Sequence, residues 1–180
     1  IGGANRLTRQ IAARIGADGV SMSDYRAVQN GDAAAAFAAL TGEGTDRLLE
    51  MRVVPDAPSS DYNGNTYIDT MSIEAVDRFI ELTHEEYARR CGDRLGASIR
   101  GIFTDEPHRG HALDNTRTEQ DGTRSCAVFY TDDIFDEFRR RYGYDARPRM
   151  PEVFYRLYGR PISRLRVDYF DLGCNLFNER

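Results

Sequence analysis

Apolar and polar positions alternate most clearly from Arg47 to Val54, where Leu49, Met51 and Val53 fall on one side and Glu50 and Arg52 on the other. A period of two predicts a half-buried strand, and Pro55 and Pro58 close it. After Ser72 the period lengthens, and Val76, Phe79, Ile80, Thr83 and Tyr87 share one helical face, with Glu74 in the first turn and Gly92 at the end. Next comes Ser98-Ile99-Arg100-Gly101-Ile102-Phe103, a short apolar run with a glycine. That pattern predicts a buried strand packed closely beneath a helix, so that helix and strand together form one βα step of a parallel sheet.

Further along, Thr131 is expected to cap a helix with Asp132 and Asp133 at its start, Arg139, Arg140 and Arg141 in its last turn, and Gly143 as its stop. This charge order suits the helix dipole. Pro151 stands where a short helix would begin, carrying Val153, Phe154, Leu157 and Tyr158 and ending at Gly159. Ile162, Leu165, Tyr169, Leu172 and Leu176 mark a final amphipathic helix. The leading segment, residues 1–45, is poorly defined: glycines punctuate a single Ala-rich run that Asp32 would cap as a short helix through Leu40. Between strand and long helix, Asp61 to Asp69 reads as an ordered loop turning at Asn63-Gly64.

Composition narrows the partners more than the fold. The 180 residues fit one domain, and 41% hydrophobic with 29% charged residues is the balance of a globular protein. A net charge of -5 argues against nucleic acid, which needs a basic face. All 24 basic residues are arginine, which reads first as genome composition. Cys91, Cys126 and Cys174 are odd in number and widely spaced, encoding neither a disulfide framework nor a zinc site. No apolar stretch approaches the ~20 residues of a membrane span. The start at Ile1-Gly2-Gly3 and the close inside a helical pattern at Asn178-Glu179-Arg180 lead us to expect a segment of a longer protein.

Candidate chemistry gathers in Thr104-Asp105-Glu106-Pro107, directly after the expected strand. Carboxylates leaving the C-terminal end of a parallel strand lie where α/β enzymes place catalytic groups. Glu106 there would serve as a general acid toward a leaving oxygen; the plainer alternative makes Asp105 a turn cap and Glu106 a solvated residue. His108 and His111 follow in His-Arg-Gly-His. With Asp105 and Glu106 they would make a metal-dependent hydrolase, yet they lack the spacing of the helical zinc signature, so we expect no metal and no cofactor. His84 and the arginine triplet read as structure, as do Tyr142 and Tyr144.

These residues carry a family resemblance. Tyr67-Ile68-Asp69-Thr70-Met71-Ser72, then Phe79-Ile80-Glu81-Leu82-Thr83-His84, then Gly101-Ile102-Phe103-Thr104-Asp105-Glu106-Pro107 resemble, in that order, the large bacterial glycoside hydrolases of the α-L-rhamnosidase-like type. Phe129-Tyr130-Thr131-Asp132-Asp133, Arg141-Tyr142-Gly143-Tyr144-Asp145 and Arg166-Val167-Asp168-Tyr169-Phe170 resemble its next segments. The likeness runs from Asn63 to Phe177, about two-thirds of the chain.

The resemblance implies an α/β fold, part of a (β/α)8 TIM barrel with two or three βα units, since a whole barrel takes about 250 residues. The remainder of the barrel, in the parent chain, would be the partner of this segment. A carbohydrate would be the substrate, in a secreted or periplasmic enzyme, with Glu106 as general acid or acid/base and Asp105 orienting it or binding a sugar hydroxyl. Tyr67 and Asp69 would contact sugar. Tyr62 and Tyr130 stand where the family tends to have tryptophan and would replace it as aromatic platforms, and His108 would line the pocket. The competing expectation is a non-catalytic carbohydrate-binding or scaffolding module of barrel ancestry.

Overall fold

The computed structural model describes residues 5–110, 113, 117–118, 123–158 and 160–180. In chain order its elements are β1 (Arg6–Ile15), β2 (Ser21–Ala27), α1 (Ala33–Ala38), β3 (Thr45–Val53), α2 (Ile73–Ile80), α3 (Glu86–Cys91), β4 (Arg117–Thr118), β5 (Arg124–Ser125), α4 (Ile134–Tyr142), α5 (Pro151–Phe154), β6 (Arg156–Leu157) and α6 (Arg164–Glu179). The protein is a mixed α/β structure with a four-stranded mixed sheet in the order β3-β1-β2-β6. It divides into two compact units, Ile1–Tyr67 with Asp133–Leu172, and Ile68–Asp132 with Gly173–Arg180.

In the first unit β1 pairs antiparallel with both β2 and β3, and β6 joins the far edge parallel to β2. β1 is therefore central, and its side chains alternate between two covered faces. Ala12 packs with Ala36 and Leu40 around α1, while Ala13 and Ile15 pack with Met22 and with Leu157 of β6. Asp32 caps α1 by accepting from the Ala35 amide at 2.9 Å. β3 alternates as expected, with Leu49, Met51 and Val53 half-buried and Glu50 and Arg52 exposed. Asn63 and Gly64 both turn at positive φ, placing the loop reversal at the expected dipeptide.

The helices of this unit bury Ile134, Phe138, Val153, Leu165, Tyr169 and Leu172. Phe138 packs its ring against Tyr142 and Tyr144, at 4.8 and 5.0 Å between centroids. The two tyrosines then donate to carboxylates of α6, Tyr142 to Asp171 at 2.7 Å and Tyr144 to Asp168 at 2.9 Å. α4 ends at Gly143 in the left-handed region, as expected. Its start differs: the N-cap position is Asp133, not Thr131, which is buried two residues earlier. Leu157 also differs. The helix opened by Pro151 stops at Phe154, and Arg156–Leu157 becomes strand, with Tyr158 just past it, because the Arg156 and Tyr158 amides find the Val20 and Met22 carbonyls of the hairpin. Gly159, its expected stop, lies outside the described residues.

A buried carboxylate ties β2 to α5. Glu152 is 3% exposed and accepts from the Tyr25 hydroxyl at 2.7 Å and from Arg149 at 2.9 and 2.8 Å, one bond to each oxygen on the Arg149 side. Burial by itself would raise the Glu152 pKa, but the Arg149 and Tyr25 hydrogen bonds outweigh it and hold the carboxyl below its ordinary value. Burial and the same carboxylate push the Tyr25 hydroxyl upward.

In the second unit Ser72 caps α2, accepting from the Ala75 amide at 3.3 Å. The helix continues through a π turn at Glu81–Glu85 into α3, with the Thr83 hydroxyl donating back to the Phe79 carbonyl at 2.5 Å. The apolar face expected here is only half-covered at Val76 and open at Phe79, Ile80 and Tyr87. Ser98–Phe103 is not the buried parallel strand that its apolar run predicts. Ile99 makes an isolated bridge to Leu95, residues 101–109 form no ladder, and Ile102 and Phe103 are 61% and 86% exposed. A strand exists only through its neighbours, and among the described residues none offers this segment an edge. The barrel arrangement expected from the sequence is accordingly replaced by one open sheet in the first unit.

Candidate functional site

The expected catalytic pair lies on the extended segment 101–109 of the second unit, where Asp105 and Glu106 are both exposed. Glu106 has a φ of 38°, in the left-handed region that favours glycine. Among the described residues the other non-glycine positions with positive φ are Asn30, Asn63 and Leu113. Asparagine tolerates that conformation through its short polar side chain, whereas for glutamate it is a strained backbone of order 1–3 kcal/mol.

One end of the segment is anchored. The Thr70 hydroxyl donates to the His108 carbonyl at 2.8 Å, and the His108 imidazole Nδ1 accepts from the Gly110 amide at 3.1 Å. Thr70 itself is fixed by a turn in which Asp69 accepts from the Met71 amide at 3.0 Å. Asp69 and His108, both expected at a sugar, are thereby brought to the two sides of one contact, Asp69 as the turn former and His108 as the loop holder. Thr70 was not singled out by the sequence pattern, although its place between Asp69 and the Ser72 cap is that of a turn hydroxyl.

Behind this loop sits Phe129, 3% exposed. The Arg109 guanidinium lies over its ring at 5.4 Å, with the Nε atom buried and without a hydrogen-bond partner among the described residues. Tyr130 is half-buried beside it in sequence. Gly173 of α6 also lies against the ring, where an added Cβ would come within 2.3 Å of two Phe129 ring carbons. Gly173→Ala should therefore lower stability by about 1–2 kcal/mol despite the better helix propensity of alanine, because overpacking exceeds that gain. Thermal denaturation of the variant checks this; a raised melting temperature would mean that Phe129 is free to swing aside.

The other two expected sugar contacts belong to the first unit. Tyr62 and Tyr67 stand 5.1 Å apart between ring centroids, tilted by 45°, so they form an aromatic pair of their own on the loop after β3. His111 lies outside the described residues. Among those described, no three His, Cys, Asp or Glu side chains come together to hold a metal ion, and no helix is long and apolar enough to cross a membrane. No protein-family model, curated protein or solved structure matches the chain.

Proposed function

We propose that this chain forms part of the catalytic domain of a glycoside hydrolase cleaving O-glycosidic bonds, with α-L-rhamnosides the first substrates to try. Glu106 acts as general acid or acid/base, and Asp105 orients it or holds a sugar hydroxyl. The observation that supports this best is Glu106 itself: an exposed carboxylate held at positive φ directly after an apolar segment. Strain of this kind persists where surrounding structure or function requires it. The ordered motif resemblance from Tyr67 to Phe170 supplies the reaction class.

On this reading the helical segment 72–91 and the extended segment 101–107, which forms no ladder here, would become a helix-and-strand step of a (β/α)8 barrel only against the rest of that barrel. Ile102 and Phe103 await strands from the remainder of the parent barrel, as do Phe79 and Ile80 of the helix. Secretion or periplasmic location would follow from the glycan substrate. The acid protonates the leaving oxygen as an oxocarbenium-like transition state forms, while a second carboxylate attacks the anomeric carbon or activates water. A separation of about 5 Å between the two gives retention, and about 6.5–9.5 Å gives inversion.

The exposure of Asp105 and Glu106 also favours a second reading, a non-catalytic carbohydrate-binding or scaffolding module of barrel ancestry. Release of free sugar from a panel of α-L-rhamnosides by the full-length protein separates the two. Hydrolysis supports the glycosidase; sugar binding without hydrolysis, unchanged in Glu106→Gln, supports the binding module.

A further inference from the structure

Within the first unit, β2, α5 and the turn after β6 line an open, shallow cleft of about 500 Å³. Its charged groups are arranged by depth. Arg26 is 49% exposed while its partner Asp24 is 13% exposed, and Arg149 is 39% exposed while Glu152 behind it is 4% exposed. The carboxylates are also saturated. Asp24 accepts from the Tyr25 and Thr41 amides, the Thr41 hydroxyl and Arg26, and Glu152 accepts from Tyr25 and both arms of Arg149. Donors remain at the mouth. Arg149 is the most committed, spending Nε and Nη2 on Glu152, interacting with the Tyr25 hydroxyl and lying over the Tyr144 ring at 5.6 Å. Arg26 directs Nη1 to Asp24 and the Tyr25 carbonyl and keeps Nη2. Arg160 is exposed on the cleft and has no acidic partner among the described residues.

The apolar part of the lining is Pro148, Leu157 and the half-exposed Tyr158. A ligand entering this cleft meets guanidinium donors beside an aromatic and aliphatic wall, with the acceptors already used. We propose that the cleft is a binding site for the carboxylate of an acidic sugar, a uronate unit of a glycan. The oxyanion preference rests on Arg26 and Arg160, because planar guanidinium groups match a carboxylate in charge and geometry. A sugar as the carrier of that carboxylate rests on the glycosidase reading, joined to the apolar wall that would meet the C–H face of a pyranose ring.

The test is calorimetric titration of the full-length chain carrying Glu106→Gln, so that no turnover consumes the probe. The probes are digalacturonate, its methyl ester and inorganic phosphate. Digalacturonate should bind at least tenfold more tightly than either of the others, and Arg160→Gln or Arg26→Gln should weaken it about tenfold, the effect of one charge-assisted contact. Both arginines are exposed, so their replacement leaves the fold intact, which the melting temperature checks. Equal binding of acid and ester overturns the proposal, as does affinity indifferent to both substitutions. Phosphate binding as tight as digalacturonate overturns the sugar half of it. Because the readout is binding alone, failure of the hydrolysis assay leaves this result separately legible.

Discussion

On the proposed glycosidase function, replacing Glu106 by glutamine in the full-length protein should lower turnover of an alkyl glycoside by about two to four orders of magnitude, the range for loss of a positioned general acid. Stability should barely change. The side chain is exposed, and no described residue hydrogen-bonds to it, so the substitution removes a proton donor and little packing. Glutamine also keeps the length of the side chain and faces the same backbone cost at positive φ. Glu106→Gly is the informative companion: it loses the carboxyl while relieving the left-handed strain, so it should be equally inactive and more stable by about 1 kcal/mol. Steady-state kinetics with matched melting curves checks both. An active, unstable Glu106→Gln would reverse the assignment, making the residue structural.

The largest stability effect is expected at Glu152. Glu152→Gln retains an acceptor for the Tyr25 hydroxyl but deprives Arg149 of its charged partner, and should cost about 2 kcal/mol at neutral pH. The figure stays below the range for a fully buried pair because Arg149 is 39% exposed and can be rehydrated. The pH dependence has a definite sign. The folded carboxyl sits below its ordinary value, so its contribution is complete above the unfolded pKa of about 4.3 and is lost as the pH falls through the lower folded value. Urea denaturation of wild type and variant should differ clearly at about pH 7 and converge as the pH drops below about 4. A difference independent of pH would mean that the Glu152 charge contributes nothing and only shape was lost.

Local capping and one-face periodicity were legible without coordinates. Ser72, Asp32 and Gly143 stand where their side chain or backbone freedom predicts, and Leu165, Tyr169, Leu172 and Leu176 bury the stripe expected of the last helix, whereas Ile162, expected in the same stripe, precedes the helix and is 58% exposed. β1 was missed because it is covered on both faces: Ile11, Ala12 and Ala13 are all fully buried, which erases alternation and leaves an Ala-containing run that mimics helix. β6 was missed because two residues become strand only through a hairpin far upstream. Ser98–Phe103 shows the converse: an apolar run is not sufficient for burial, which depends on neighbours, and Ile102 and Phe103 stay exposed. The carboxylates of Thr104-Asp105-Glu106-Pro107 were visible in the sequence. The positive φ of Glu106, the Thr70 contact to His108 and the long-range joining of Tyr25 to Glu152 were not, since none follows from local residue type.

The proton-donor role proposed for Glu106 is tested most directly by the dependence of rate on the leaving group. Wild type and Glu106→Gln are compared on a dinitrophenyl and an alkyl α-L-rhamnoside, the first leaving without protonation and the second requiring it. The loss caused by the substitution should be at least about a hundredfold greater on the alkyl substrate. Equal losses on the two substrates would contradict it.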